Sequence, residues 1–141
     1  MKKIEDFMKD GTSGRKRTVF LGGTCAGSKW RDEFIRKCGQ DADCFNPVVD
    51  DWNDEARKNE IRHREKDDVV LYALEDPRSA YSIAELIDDS NKRPERTVGL
   101  LLMKDDGSDR YKSMVQVMKM AARNGAEVFY DMDAAVNYVI R

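Results

Sequence analysis

The stretch at residues 69–94 reads VVLYALEDPRSAYSIAELIDDSNKRP and contains the pattern that decides the fold. Val69–Leu74 is apolar throughout, which predicts a strand buried on both faces of a parallel sheet. A short polar turn at residues 75–79 then leads into a predicted helix at residues 81–89. Ligands of open α/β sheets bind outside the carboxyl ends of the strands. Glu85, near the start of this helix, is therefore predicted to lie at the ligand edge.

The same alternation of strand and helix is repeated along the chain. Apolar and β-branched runs predict strands at residues 18–21, 43–45, 69–74, 97–103 and 126–130. Helical spacing predicts helices between Ser28 and Gly39 and at residues 54–66, 81–89, 111–124 and 133–140. Ser28 is the predicted cap of the first of these helices, and Gly39 and Gly125 are end signals. The helix at residues 54–66 is highly charged and is expected to be largely exposed. The pattern predicts an α/β, flavodoxin-like three-layer fold with a five-stranded parallel sheet.

A single domain is expected at residues 17–141, after a flexible or short helical extension at residues 1–16. The chain has 141 residues, 40% hydrophobic and 37% charged, and its net charge of -2 gives no footprint of a nucleic acid polymer. No apolar run reaches the roughly 18 residues that a membrane span needs. The three cysteines lack a C-x-x-C spacing, so neither a disulfide scaffold nor structural zinc is expected. A reducing cytoplasm is the predicted location.

The loop between the first strand and the first helix reads GGTCAGS at residues 22–28. Its glycines permit a tight turn and a close approach of the backbone to a ligand, and the helix start offers free N–H groups. The loop lacks the Walker ending and the full dinucleotide fingerprint, so a plain tight turn is an equal alternative. Cys25 is interpreted as a small residue that lines the pocket. The alternative, a thiolate nucleophile, needs a basic partner, and His63 lies on a helix predicted to be exposed.

The sequence leaves two roles open for Glu85. Ser82 and Glu85 have the spacing of a capping box, in which the carboxylate only caps the helix start. Alternatively, Glu85 is a nucleophile, since a carboxylate can attack an anomeric carbon and form a covalent glycosyl intermediate. The aromatic residues near this edge either stack on a base or pack in the core: Trp30, Trp52, Tyr72 and Tyr81. The polar cluster after Glu85 is interpreted as ordinary helix-end chemistry: Asp88, Asp89, Asn91, Lys92 and Arg93.

Taken together, these motifs resemble the nucleoside 2-deoxyribosyltransferase superfamily, most closely its shorter bacterial and phage branch. The first matching pieces are VFLGGT at residues 19–24 and SKWR at residues 28–31. They are followed by FNPVV at residues 45–49 together with Trp52, by residues 65–72, and by YSIAELIDDSNKRP at residues 81–94. The resemblance implies a flavodoxin-like fold. It also implies cleavage of the N-glycosidic bond of a (deoxy)nucleoside or nucleotide, with transfer to another base or to water.

The resemblance implies roles for individual residues as well. Glu85 takes the place of the family nucleophile, and Asp76 is the candidate for handling the leaving base, with Asp67 and Asp68 as alternatives. The residues expected to bind the substrate are Gly22, Gly23, Thr24, Cys25, Ser28, Trp30, Arg31, Asn46, Pro47, Trp52, Tyr81 and Ser82. A homodimer or a higher homo-oligomer is implied. Neither a metal ion nor an organic cofactor is expected.

The turn before Glu85 departs from the family pattern. Better-known members have an Asp followed by a Gly shortly before the nucleophile, whereas this chain has Asp76 further upstream and no Gly. The departure favours one alternative, a non-catalytic nucleotide-binding or sensing protein with the same fold. A second alternative is a deoxynucleoside monophosphate N-glycosidase, a hydrolase in which Arg31, Lys92 or Arg93 grips the phosphate. A purely structural role leaves the loop and the long motif unexplained.

Overall fold

In the part of the chain that the structure describes, the sheet has five strands, and all neighbouring strands are parallel. The structure, a computed structural model, describes residues 15–25 and 27–141, so most of the extension predicted at residues 1–16 lies outside the described residues. The strands are β1 (Arg17–Gly23), β2 (Ala42–Phe45), β3 (Val69–Leu74), β4 (Thr97–Leu101) and β5 (Glu127–Phe129). Their order is β2-β1-β3-β4-β5, the flavodoxin-like order, and it confirms the predicted fold class.

Helices cover both faces of the sheet and complete the three layers. They are α1 (Trp30–Cys38), α2 (Asp54–Lys66), α3 (Ala80–Lys92), α4 (Asp109–Arg123) and α5 (Met132–Ile140), with short 3-10 turns at Gly39–Asp41 and Pro94–Arg96. α1 and α5 pack on one face, and α3 and α4 pack together on the other. Within the described ranges, none of these helices combines the length and the apolar character that crossing a bilayer requires.

The core has one half on each face of the sheet because side chains alternate along the strands. In β1, Val19 and Leu21 join the half under α1 and α5, whereas Phe20 joins the half under α3 and α4. All of β3 is buried, which confirms the prediction from its uniformly apolar sequence. β3 lies at the centre of the sheet and places the start of α3 at its carboxyl edge.

Some predicted boundaries are wrong for identifiable reasons. β4 ends at Leu101 rather than at residue 103 because its partner β3 ends at Leu74, which is paired with Leu101. Ser28 is not the N-cap residue of α1, since α1 begins at Trp30 after Lys29, and the Ser28 Oγ accepts only a long hydrogen bond of 3.4 Å from the backbone N–H of Trp30. The Ser28 hydroxyl instead donates a hydrogen bond to Glu75 in the loop after β3. The β1–α1 and β3–α3 loops are therefore tied together.

The two glycines at the end of β1 are required by packing against β3. A Cβ atom on Gly22 would lie 2.5 Å from Cε1 of Tyr72, its register partner. Gly23 has φ +123, and a Cβ atom there would lie 2.0 Å from the carbonyl oxygen of Ala73. Any side chain would thus separate β1 from β3. Strand packing alone therefore accounts for the glycine pair, and both glycines also line the cavity described below.

α2 contains no buried residue, which confirms the expected exposure of this helix. Its start is capped by Asn53, whose side-chain oxygen accepts a hydrogen bond of 2.8 Å from the backbone N–H of Ala56. His63 is nevertheless half-buried, because its ring stacks on Phe45 at 3.6 Å between centroids and its Nδ1 lies 3.0 Å from an Asp67 carboxylate oxygen. α2 therefore rests on β2 through polar and aromatic contacts rather than through an apolar face.

Candidate active site

A cavity of about 460 Å³ lies outside the carboxyl ends of β1 and β2, between α2 and the start of α3. This is the position where the strand order reverses, because β1 connects to β2 on one side and pairs with β3 on the other. Its wall combines apolar, aromatic and charged side chains: Phe20, Gly22, Gly23, Cys25, Arg31, Pro47, Trp52, Arg57, Glu60, Ile61, Arg64, Tyr81, Ser82 and Glu85.

Glu85 is a carboxyl group in the wall of this cavity with only 7% of its surface exposed. It lies in the second turn of α3, whose N-terminal cap position is Ser79. The capping-box alternative is therefore wrong, since a capping Glu belongs in the first turn. Glu85 Oε2 instead accepts a hydrogen bond of 3.2 Å from Arg64 on α2.

Glu60 and Glu85 form a pair of carboxyl groups across the cavity wall, joined by a hydrogen bond. Burial, together with this hydrogen bond and the charge of Glu60, raises the pKa of Glu85 to about 8. Two carboxyl groups in contact cannot both be ionised without strong repulsion, so the pair retains one proton near neutral pH. A proton donor and a carboxylate are thus held side by side.

Behind Glu85, Arg64 is anchored on a buried carboxylate. Arg64 Nε and Nη2 donate hydrogen bonds of 3.1 and 3.0 Å to the two oxygens of Asp89, which is fully buried. Asp89 also accepts hydrogen bonds from Arg93 and from the hydroxyl of Tyr72. Burial opposes the charge on Arg64, but the hydrogen bonds to Asp89 and the surrounding negative charges raise its pKa overall. The guanidinium is therefore a fixed cation.

Tyr72 links this charged cluster to the sheet. Burial, reinforced by the charge of Asp89, raises the pKa of Tyr72. The phenol therefore stays protonated and donates a hydrogen bond to the Asp89 carboxylate. The ring of Tyr72 occupies the space that a side chain on Gly22 would need. Gly22 thus permits the packing that brings the hydroxyl of Tyr72 to Asp89.

Arg31 holds the β1–α1 loop by its backbone carbonyls. It is 5% exposed and donates hydrogen bonds to the carbonyl oxygens of Leu21, Gly23 and Thr24 at 2.9, 3.2 and 2.7 Å. Its Nη2 also lies 3.7 Å from Sγ of Cys25. Desolvation lowers the pKa of Arg31, with nearby negative charge opposing the shift. The guanidinium is occupied by loop carbonyls, and only part of it faces the cavity.

A second, more open cleft of about 740 Å³ adjoins the cavity and contains Asp76. The two spaces share Gly23, Cys25, Tyr81 and Ser82 as walls. Asp76 accepts hydrogen bonds of 3.0 and 2.9 Å from Arg78, and these lower its pKa to about 2. Asp76 is therefore ionised at neutral pH and does not line the cavity of Glu85.

The structure divides the predicted substrate-binding residues into three groups. The residues that line the cavity of Glu85 are Gly22, Gly23, Cys25, Arg31, Pro47, Trp52, Tyr81 and Ser82. Thr24 and Ser28 line only the second cleft. Trp30 packs in the core and donates a hydrogen bond of 2.9 Å from Nε1 to the Thr24 carbonyl, and Asn46 accepts one of 3.0 Å from the backbone N–H of Val48. Neither Trp30 nor Asn46 is part of either wall as described.

Sequence reasoning missed Glu60, Arg64 and the central position of Asp89. The interpretation of Asp89 and Arg93 as ordinary helix-end residues is wrong, because both belong to the charged cluster behind Glu85. The available signal was the spacing of Glu60 and Arg64, which places both on one face of α2. His63 does not line the wall that contains Cys25, so this histidine is not the base that a thiolate nucleophile there would need.

Among the described residues, no group of three His, Cys, Asp or Glu side chains is arranged to hold a metal ion. Comparisons of the chain with protein-family models, with curated proteins and with solved structures found no match. The chemistry of the site is therefore inferred from its own groups and from the motifs in the sequence.

The raised pKa of Glu85 predicts that stability depends on pH. Glu85 titrates at about 8 in the folded protein against an ordinary value of 4.5. A raised carboxyl pKa stabilises the fold fully below the unfolded value, and this contribution is lost as pH rises through the folded value. The free energy of unfolding of the wild type should therefore fall by a few kcal/mol between pH 5 and pH 9. In Glu85→Gln the free energy of unfolding should lose most of this dependence on pH. Urea unfolding at both pH values measures it. Glu65→Gln, on the exposed side of α2, should behave like the wild type, and an equally pH-dependent Glu85→Gln would contradict the assignment.

Proposed function

We propose that this protein cleaves the N-glycosidic bond of a (deoxy)nucleoside or nucleotide through a glycosyl intermediate on Glu85. The observation that supports this best is the Glu60–Glu85 pair in a concave cavity at the switch point of the sheet. The pair supplies a nucleophile and a proton donor. Glycosidic bond cleavage requires these two groups.

In the first step, the proton of Glu85 passes to Glu60 along their hydrogen bond. The ionised Glu85 oxygen attacks C1′ of the sugar while the bond between C1′ and the base nitrogen breaks. Glu60 gives its proton to the departing base, which leaves a glycosyl ester on Glu85 and an ionised Glu60. Glu60 thereby takes the role for which Asp76, ionised and in the neighbouring cleft, is poorly placed.

In the second step, Glu60 removes a proton from the acceptor, which is either a second base or water. The acceptor attacks C1′, and the bond between C1′ and the Glu85 oxygen breaks. The proton then returns from Glu60 to Glu85, so that each cycle restores the starting state. Pro47, Trp52 and Tyr81 form the apolar and aromatic wall on which a planar base can stack.

A second candidate function is nucleotide binding without turnover. It is favoured by the turn before α3, in which Asp76 is paired with Arg78 rather than directed into the cavity. The monophosphate hydrolase has little support from the residues first considered for phosphate binding, because each of them is hydrogen-bonded to another group of the protein. Arg31 is bound to loop carbonyls, Lys92 to Asp88 and Arg93 to Asp89. The cations that line the second cleft instead are Lys29 and Arg78.

One assay separates these functions. The protein is incubated with a panel of deoxynucleosides and their monophosphates, with and without a second free base, and base release is followed by chromatography. Exchange that needs the second base supports transfer, and release without it supports hydrolysis. A preference for monophosphates supports the nucleotide hydrolase. Intact ligand after long incubation, with binding detected by calorimetry, supports the binding protein and overturns the proposed reaction.

We also propose that the protein forms a homodimer or a higher homo-oligomer. Trp52 and Tyr81 line the cavity and are more than half exposed, and Val48 and Val49, which follow Pro47 of the cavity wall in sequence, are about half exposed. A second copy that covered them would also close the cavity. Light scattering that gives the monomer mass of 16.2 kDa at micromolar concentrations would exclude this assembly.

A further inference from the structure

Arg64 has a geometry that the proposed reaction does not by itself require. Two of its nitrogens bind the fully buried Asp89, and a third donates to Glu85 at 3.2 Å. A longer contact of 3.4 Å reaches Asp88. The guanidinium thus joins α2 to α3 at the carboxyl group that faces the cavity. α2 has no buried residue, so this contact and the stacking of His63 on Phe45 help to hold the helix on the sheet.

We propose that Arg64 is a positioning residue: anchored on Asp89, it fixes the orientation of the Glu85 carboxyl group and favours its ionised form. Glu85 thereby presents its Oε2 atom to Arg64. The role rests on the proposed function of Glu85, but the contact itself is independent of any substrate.

The shape of the guanidinium explains why an arginine suits this position. Its planar fork can bind the two oxygens of Asp89 and still direct a further N–H to Glu85. A lysine ammonium supplies the same charge at one point and lacks this fork. The anchor is rigid because Asp89 is also bound by Tyr72 and Arg93. We therefore expect charge alone to replace only part of the effect of Arg64.

Charged groups on several neighbouring elements surround the Glu85–Arg64 pair. Glu60 opposes ionisation of Glu85, as does the buried charge of Asp89. On the opposite wall, Arg31 is turned toward loop carbonyls and Cys25. The charged or titratable groups described around the pair are Arg57 and Glu60 on α2, Asp88 and Asp89 on α3, Arg93 after α3, Tyr72 on β3, Cys25 after β1 and Arg31 on α1. Arg64 is the cation among them that contacts the Glu85 carboxyl group.

The test is a direct titration of Glu85 by carbon-13 NMR of labelled glutamate carboxyl groups, with the Glu85 signal assigned from Glu85→Gln. An opposite charge within ~4–6 Å typically lowers a carboxyl pKa by about 1–3 units. In Arg64→Gln the pKa of Glu85 should therefore rise by about one unit or more. Arg64→Lys should give a smaller rise. Arg62→Gln removes the same charge from an exposed position of α2 and should leave the titration unchanged.

An unchanged Glu85 titration in Arg64→Gln, or an equal shift in Arg62→Gln, would overturn the proposal. If Arg64→Gln does not fold, Arg64→Lys decides: a Glu85 titration and kinetics identical to the wild type would overturn it. Where turnover is found, kcat should fall about tenfold in Arg64→Lys with KM nearly unchanged, since the lost contact favours the reactive state. A shifted titration in a protein without turnover would retain the role of Arg64 and remove only the proposed reaction.

Discussion

Replacement of Glu85 by Gln is expected to reduce the rate of base release by about a thousandfold or more, which corresponds to about 4 kcal/mol of activation free energy. The amide preserves the size of the side chain but cannot form the glycosyl ester or share the proton of the pair. Base release is measured by chromatography under single-turnover conditions, with the substrate identified by the panel. The loss should appear in kcat rather than in KM, because the missing bond forms only on the reaction path.

Two controls separate lost chemistry from lost structure. Glu65→Gln makes the same chemical change at an exposed position of α2 and should retain wild-type turnover. In the wild type, a slowly released sugar should add its mass to the peptide that contains Glu85, which identifies the carboxylate as nucleophile rather than as acid. Turnover of Glu85→Gln at a rate near that of the wild type would refute the mechanism.

The predicted fold agrees with the structure because its main signals are local. β3 was predicted at Val69–Leu74, the same bounds as in the structure, because an apolar run between charged residues has definite ends. α2 has the predicted bounds, Asp54–Lys66, as well, because the charged segment follows a loop and runs without a break to Lys66. The end of β4 could not be predicted in this way. It depends on where the neighbouring strand stops rather than on Leu102 or Met103.

The candidate site was predictable only in part, because charged residues look alike on a solvent face and on a cavity wall. Glu85 could be singled out because it follows a buried strand at the ligand edge. Glu60 and Arg64 share one face of α2, but this helix has no apolar stripe, so their spacing alone does not show that the face lines a cavity rather than meeting solvent. The burial of Asp89 depends on cations supplied by α2 and by the end of α3, and only the tertiary structure brings these groups together.

The charged cluster behind Glu85 leads to the second large effect, on stability. Replacement of Asp89 by Ala should lower the free energy of unfolding by about 3–5 kcal/mol, the range found when one partner of a buried ion pair is removed. Asp89 is fully buried, and its loss would leave Arg64 and Arg93 without their shared carboxylate and the hydroxyl of Tyr72 without an acceptor. Urea unfolding followed by circular dichroism measures the change.

Asp88 provides the matched control, because it is the neighbouring carboxylate and also contacts Arg64. Its side chain is 45% exposed, and its contacts with Arg64 and Lys92 lie at the surface, so Asp88→Ala should cost less than about 1 kcal/mol. Equal losses of unfolding free energy in the two variants would contradict the prediction, because burial of Asp89 would then add nothing to the cost of removing a carboxylate. In Asp89→Ala two changes act on the pKa of Glu85 in opposite directions: loss of the Asp89 charge lowers it, whereas loss of the anchor frees Arg64 to turn away from Glu85 and raises it. Arg64→Gln keeps Asp89 in place, and it is therefore the variant that isolates the contact between Arg64 and Glu85.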